Sequence, residues 1–276
     1  MRVKNTSEKK SYPKDNKRTQ LEDSLTETTD QIAHILLSTD TNIKISNSTW
    51  TIADAGAHLV ISQGLFKGII KGKKSPYEDG RLDVFAKVNE ELLENFPERG
   101  GKNLAKQLIA STNLFLKESE HHKNSYRLKT HFGDMNLVDL LTYSLCHLLM
   151  HGSDIARTSK NPTLVKEKYV ELIVPFFKGE MTKHYDKEKA KKINLSIDIN
   201  ILGVSRFTII CHKGELIIKE HVPRSVDCHI KIDPISFFLI STGVASLWKS
   251  LLNRKIIIWG KKPWIALHLK SLFPNP

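Results

Sequence analysis

Apolar residues recur at helical spacing through the first two thirds of the chain. Leu21, Leu25, Ile32, Ile35 and Leu36 fall on one helix face. The polar turn DTNIKISNST follows. A second helix is predicted to begin near Trp50 and Thr51, with Ser48 or Thr49 as N-cap and a stripe that includes Ile52, Ala55, Leu59, Phe66 and Ile69. Residues 71–80 are rich in Gly, Lys and Pro and read as a loop. Helical patterns return at 81–96 and 102–119, and HHKNSYRLKTHFGD reads as a loop or short hairpin. Asn136 then caps a strong helix, LVDLLTYSLCHLLMHGSDIAR, with Leu137, Leu141, Leu145, Leu148 and Ile155 as its buried stripe. Asn161-Pro162 ends it, because the residue before proline is pushed out of helical space. Another amphipathic stretch covers about 163–181, and Pro175 is expected to kink or end it.

Near residue 190 the period changes from helical to alternating. INLSIDINIL and VDCHIKI read as half-buried strands. RFTIICHKGELIIKEHV reads as a hairpin turning at His212-Lys213-Gly214-Glu215. A helical pair, ISFFLISTG and VASLWKSLL, precedes a short strand, IIIWG, and a closing helix, PWIALHLKSLF. The pattern predicts an α plus α+β chain: a tail at 1–20, a helical bundle at 21–185, and a small antiparallel-sheet α+β domain at 190–276.

Composition narrows the class. The chain has 276 residues, enough to bury one large core or two ordinary ones. No apolar run approaches the roughly 18 to 20 residues of a membrane-spanning helix, and the first residues lack the apolar core of a secretory signal. The cytoplasm is the expected address. Three cysteines without CxxC spacing argue against a disulfide scaffold and a zinc ribbon. The formal net charge is +12. Part of it is concentrated in residues 1–20, where Arg2, Lys4, Lys9, Lys10, Lys14, Lys17 and Arg18 outnumber Glu8 and Asp15. That segment reads as a disordered basic arm, either a solvated tail or a contact for nucleic acid or an anionic surface. The arm lacks interleaved aromatics, which favours the tail; nucleic acid is not an expected partner.

His147 and His151 sit four apart on the strong helix. Residues so spaced share a face, with Cβ atoms about 5 to 6 Å apart, and two imidazoles there can point at one ion. His58 flanks the apolar stripe of the second helix. Three histidines from two helices would leave a tetrahedral ion one open position, the arrangement of a catalytic site. Histidines at this spacing also arise without any ion, as ordinary core or surface residues. Cys146 points off the ligand face and reads as a small buried apolar residue, as do Cys211 and Cys228. Asp154 and Arg157 could orient a histidine, bind an anion or simply pair. His121-His122 reads as surface, and Trp50 as a packing anchor at a helix start.

Two segments carry a family resemblance. WTIADAGAHL resembles the Trp-x7-His opening of the metal-binding bundle of the mycothiol-dependent maleylpyruvate isomerase family, part of the wider DinB-like superfamily. HLLMHGSDIART resembles that family's second element. The resemblance implies metal ligands at His58, His147 and His151. Histidine stands at 147 where maleylpyruvate isomerase has glutamate; DinB-like relatives use three histidines. It also implies a sterol-carrier-like C-terminal domain, in which SLLNRK places Arg254 at the family's functional arginine, with Asn253 in place of glycine. Arg254 could equally be a cation stabilised by the helix C-terminal dipole.

The implied activity is that of a metal-dependent isomerase or S-transferase. A divalent metal, zinc first, and a low-molecular-weight thiol such as mycothiol or an analogue would act on a small-molecule electrophile. A monomer is expected. Two other classes compete with this one. The C-terminal domain could serve as a non-enzymatic lipid or small-molecule carrier, or the basic arm could steer the chain to DNA or a membrane.

Overall fold

A computed structural model describes residues 12–46, 48–77, 82–221, 223 and 225–273. The chain divides into two compact units, Met1–Leu164 and Val165–Pro276. No helix among the described residues is long and apolar enough to cross a membrane.

The first unit is built on four long helices: α1 (Asn16–Ser38), α2 (Ile52–Ile70), α4 (Gly101–Ser119) and α5 (Leu137–Thr158). Helix α3 (Leu82–Glu94) and a hairpin of β1 (Arg127–Thr130) and β2 (Gly133–Asn136) complete it. Helices α1 and α2 each pack against both α4 and α5, which closes a four-helix bundle. The expected stripes form its core: Leu21, Leu25, Ile32, Ile52, Leu59, Leu141, Leu145, Leu148 and Ile155 are fully buried. Each such side chain contributes about 1.5 to 3 kcal/mol on leaving water, and these contacts hold the helices in register.

The N-terminal boundary differs from the expectation. Helix α1 starts at Asn16, with Asp15 as its N-cap, so residues 16–20 are helix rather than tail. Residues 1–11, which hold most of the anticipated arm, lie outside the described residues. Arg18 is fully buried. Its Nε donates to Glu22 Oε1 at 2.8 Å, and its two terminal nitrogens donate to Ser119 O at 2.7 Å and His122 O at 2.8 Å. Those carbonyls belong to the last residue of α4 and to the turn that follows it, so Arg18 ties the start of α1 to the end of α4. Glu22 is four positions away, but the Ser119 and His122 carbonyls that bury Arg18 lie about a hundred positions along the chain, beyond the reach of any local pattern.

The second unit begins with α6 (Glu167–Lys183), so the boundary falls near 164 rather than 185. Pro175 sits inside α6 and does not end it; the buried face of Tyr169, Val170, Ile173 and Val174 holds the helix across the missing N–H. After the short α7 (Lys187–Lys191) come strands β3 (Leu195–Ile201), β4 (Ser205–His212), β5 (Glu215–Lys219) and β6 (Cys228–Ile232). Helices α8 (Pro234–Ser241) and α9 (Leu247–Leu252), strand β7 (Ile256–Trp259) and helix α10 (Ile265–Leu269) follow.

The five strands run in the order β5-β4-β3-β6-β7. The expected hairpin joins β4 to β5, with Lys213 and Gly214 both at positive φ, as a tight two-residue turn requires. Strand β6 lies parallel to β3, so the sheet is mixed rather than wholly antiparallel. Alternation reports which side chains face the core and carries no information on strand direction. One sheet face is buried through Ile197, Ile199, Phe207, Ile209 and Ile230. On the other face, buried Asp198 accepts a bidentate pair from Arg206, at 3.0 and 2.9 Å, and meets His229 Nδ1 at 2.8 Å.

The Arg18 network predicts a steep cost for its removal. Arg18→Met leaves the Glu22 carboxylate with Lys14 at 2.6 Å as its remaining cation and removes the donors to the Ser119 and His122 carbonyls, and should lower stability by about 2 kcal/mol. Arg18→Lys should recover little of it, because an ammonium lacks the guanidinium fork. Urea unfolding checks this, and a loss below about 0.5 kcal/mol, the scale of an ordinary surface change, would contradict it.

Candidate metal centre

Local capping fixes where α2 and α5 start. The Thr51 hydroxyl accepts from the Asp54 N–H at 3.1 Å, and the Asp54 carboxylate accepts from the Thr51 N–H at 2.9 Å. This capping box makes Thr51 the N-cap, three residues beyond Ser48. Arg99 Nε donates to Asp54 at 2.8 Å and ties the cap to the segment before α4. Asn136 caps α5 as expected, its Oδ1 accepting from the Asp139 N–H at 2.9 Å.

Pairs across the α2–α5 seam show that the two helices run antiparallel. His58 meets His147, Gln63 meets Ser144, and Phe66 meets Tyr143. Gln63 and Ser144 exchange hydrogen bonds at 3.1 and 3.2 Å in the buried interface, which sets the axial register. On the other side of α5, Gly152 permits close approach of α1. A Cβ there would lie 2.7 Å from Ile32 Cδ1 and 2.9 Å from Leu164 Cδ1.

This register brings the three predicted histidines together. His58, His147 and His151 each offer a ring nitrogen, and the three atoms lie within 4.8 Å of one another. The Nε2 atoms of His58 and His147 are 3.0 Å apart. The Nδ1 atoms of both rings are buried without a hydrogen-bond partner among the described residues. One imidazole–imidazole hydrogen bond therefore does not restore what the rings lose on leaving water.

Burial pushes the His58 and His147 pKa values well below the ordinary imidazole range, and repulsion among the clustered rings adds to it. Burial likewise takes His151 down to about 4. At neutral pH all three rings are neutral, the form in which imidazole binds a metal. Donor type, convergence and protonation state all fit a divalent cation.

Aromatic rings wall the cluster. Trp50 lies 4.9 Å from the His58 ring and 5.9 Å from that of His151, so it packs on the site as well as anchoring the helix start. Phe66 meets His147 edge-on at 5.9 Å, and Tyr143 lies 6.1 Å from it. Tyr143, His147 and His151 form one stripe at four-residue spacing, a signal the sequence held in plain view. Burial raises the Tyr143 phenol, so it keeps its proton at neutral pH. Tyr143 also faces a second aromatic group around His131, whose ring is 6.2 Å away. His131 Nδ1 meets Ser75 Oγ at 3.1 Å, and burial lowers its pKa to about 4. Nothing in the sequence distinguished His131 from the surrounding polar stretch.

The other expected residues separate cleanly. Cys146 is buried and free, its thiol pushed upward by burial, and it is not among the clustered ligands. Cys211 and Cys228 are buried in strands. Asp154 and Arg157 pair with each other at 2.6 Å. His121 and His122 are half-buried rather than surface groups.

Arg254 belongs to the second unit, where it follows the α9 C-cap Asn253 with φ 54°. The Arg254 N–H donates to Leu251 O and the Lys255 N–H to Ser250 O, closing a Schellman turn. Its side chain is exposed.

The depressed histidine pKa values predict the pH dependence of the chelator-treated protein. Between about pH 6.5, where unfolded histidine titrates, and pH 4 for His151, the unfolded chain binds more protons than the folded one. Stability is then full above this window and falls with pH through it, by about 1.4 kcal/mol per pH unit for each such histidine. Urea midpoints measured from pH 7 to 5 should show this fall, and a smaller one in His151→Gln. A flat profile would contradict the assignment.

No protein-family model matches the sequence, and no curated protein matches it. Solved structures do share its fold. The crystal structure of the mycothiol-dependent maleylpyruvate isomerase superposes with a TM-score of 0.52 at 15% identity, over 82% of this chain and 90% of that one. A histidine-to-alanine mutant of that isomerase gives a TM-score of 0.53 at 14% identity over the same shares. The chain therefore has the two-part fold of the mycothiol-dependent maleylpyruvate isomerase.

Proposed function

We propose that this chain is a metal-dependent isomerase or S-transferase that uses a low-molecular-weight thiol against a small-molecule electrophile. The observation that carries the proposal is the convergence of three buried, neutral imidazoles within 4.8 Å in the bundle. The shared fold with a thiol-dependent isomerase supports it.

His58, His147 and His151 would hold the ion. When bound, a divalent ion supplies a Lewis-acidic position that lowers the pKa of a thiol or water beside it. The three imidazoles are neutral, so they would leave the charge of a bound ion undiminished, which would favour an anion beside it. Zinc is the first choice for three imidazoles, with nickel and iron also suited. Trp50 and Phe66 exclude water from one side and keep the local dielectric low, which strengthens every charge interaction there. Tyr143 holds a proton at its phenol oxygen that it can donate to a developing anion. Arg254 is the proposed partner for a substrate carboxylate.

Protein purified without a chelating tag should carry about one divalent ion per chain. His147→Ala and His151→Ala should each lose most of it, measured by elemental analysis. A double variant with the metal content of the parent would overturn the centre. A panel of thiols assayed with a model electrophile should reveal one that turns over only in the metal-loaded protein.

Arg254→Gly tests the arginine separately. Relief of its positive φ should raise stability by about 0.5 kcal/mol and leave metal content unchanged, while turnover falls. Unchanged turnover would reduce Arg254 to a helix-end cation.

A further inference from the structure

We infer that the α9–β7–α10 region of the second unit is a docking surface for an anionic phospholipid membrane. Twelve large apolar side chains are exposed among the described residues, and six of them fall between positions 248 and 267. Trp248 and Leu252, four apart on α9, are 64% and 83% exposed. Ile257 and Trp259 project from the same face of the edge strand β7 at 51% and 45%. Trp264, just before α10, and Leu267, within it, are 58% and 41% exposed. Helix α9 packs against β7, and α10 packs against β6, the strand beside β7. The three consecutive elements therefore gather at the β7 edge of the sheet, with three of the chain's four tryptophans exposed there.

The charged residues within this segment have one sign. Residues 234–273 contain six Lys and Arg and no Asp or Glu. Lys249, Arg254, Lys255 and Lys261 are exposed between the apolar groups. Lys262 is offset by Asp227 at 3.0 Å. Exposed tryptophans and aliphatic tips framed by lysines match the membrane–water boundary, where indole rings sit at headgroup level and cations meet anionic lipid. A second copy of the chain would bring the same positive charges face to face. Single-stranded nucleic acid could stack on the tryptophans, but it offers no place for Leu252, Ile257 and Leu267.

Vesicle flotation of the full chain tests this, independently of the metal centre. The protein should float with phosphatidylcholine–phosphatidylglycerol vesicles, remain behind with phosphatidylcholine alone, and be released at high salt. The Trp248→Ala/Leu252→Ala pair should weaken partitioning at least tenfold through lost apolar burial. The Lys249→Ala/Lys255→Ala pair should weaken it about thirtyfold. All four positions are exposed, so metal content and the circular dichroism spectrum should match the parent. The proposal fails if anionic vesicles do not carry the protein, or if neutral vesicles carry it equally well. It also fails if the Trp248/Leu252 pair abolishes self-association or oligonucleotide binding in a protein that does not float.

Discussion

The first unit depends on keeping three imidazoles together in a helix bundle whose core is built mainly of aliphatic side chains. Leu59, Leu145 and Leu148 are fully buried in the same two helices as His58 and His147. An ordinary bundle would place another aliphatic side chain at each histidine position and avoid the desolvation of a polar ring, about 1 to 3 kcal/mol per unpaired group. Here the rings are retained, neutral and close together, and two of their nitrogens make no hydrogen bond among the described residues. A converging set of neutral donors is what a cation needs and what an apolar core does not.

Devices far from the histidines hold that geometry. The Thr51–Asp54 capping box and Arg99 set the first turn of α2. The Gln63–Ser144 exchange sets its slide along α5. Gly152 lets α1 close on α5 one residue past His151. A slip of one helical turn, about 5.4 Å, would take His58 out of reach of both partners. The Arg18 knot serves the same end by joining the start of α1 to the end of α4.

Periodicity made much of this legible. The stripes of α1, α2 and α5 were readable because core burial imposes a 3.6-residue repeat, and the four-residue step from His147 to His151 follows from the same repeat. Contacts between distant positions were not readable. Arg18 looked like part of a solvated arm because Ser119 and His122 are remote in sequence. Trp50, Phe66 and Tyr143 wall the site through the antiparallel register of α2 and α5, which no local pattern encodes. The parallel β3–β6 pairing and the uninterrupted course of α6 through Pro175 escaped for the same reason: tertiary packing overrides a local rule.

In the proposed centre, His58, His147 and His151 bind one ion together. X-ray absorption at the metal edge of the zinc-loaded protein tests it most directly. The spectrum should show three nitrogen scatterers with imidazole character at about 2.0 to 2.1 Å, and His58→Ala should lose one of them. A shell of oxygen or sulfur alone, or a spectrum unchanged in that variant, would contradict it.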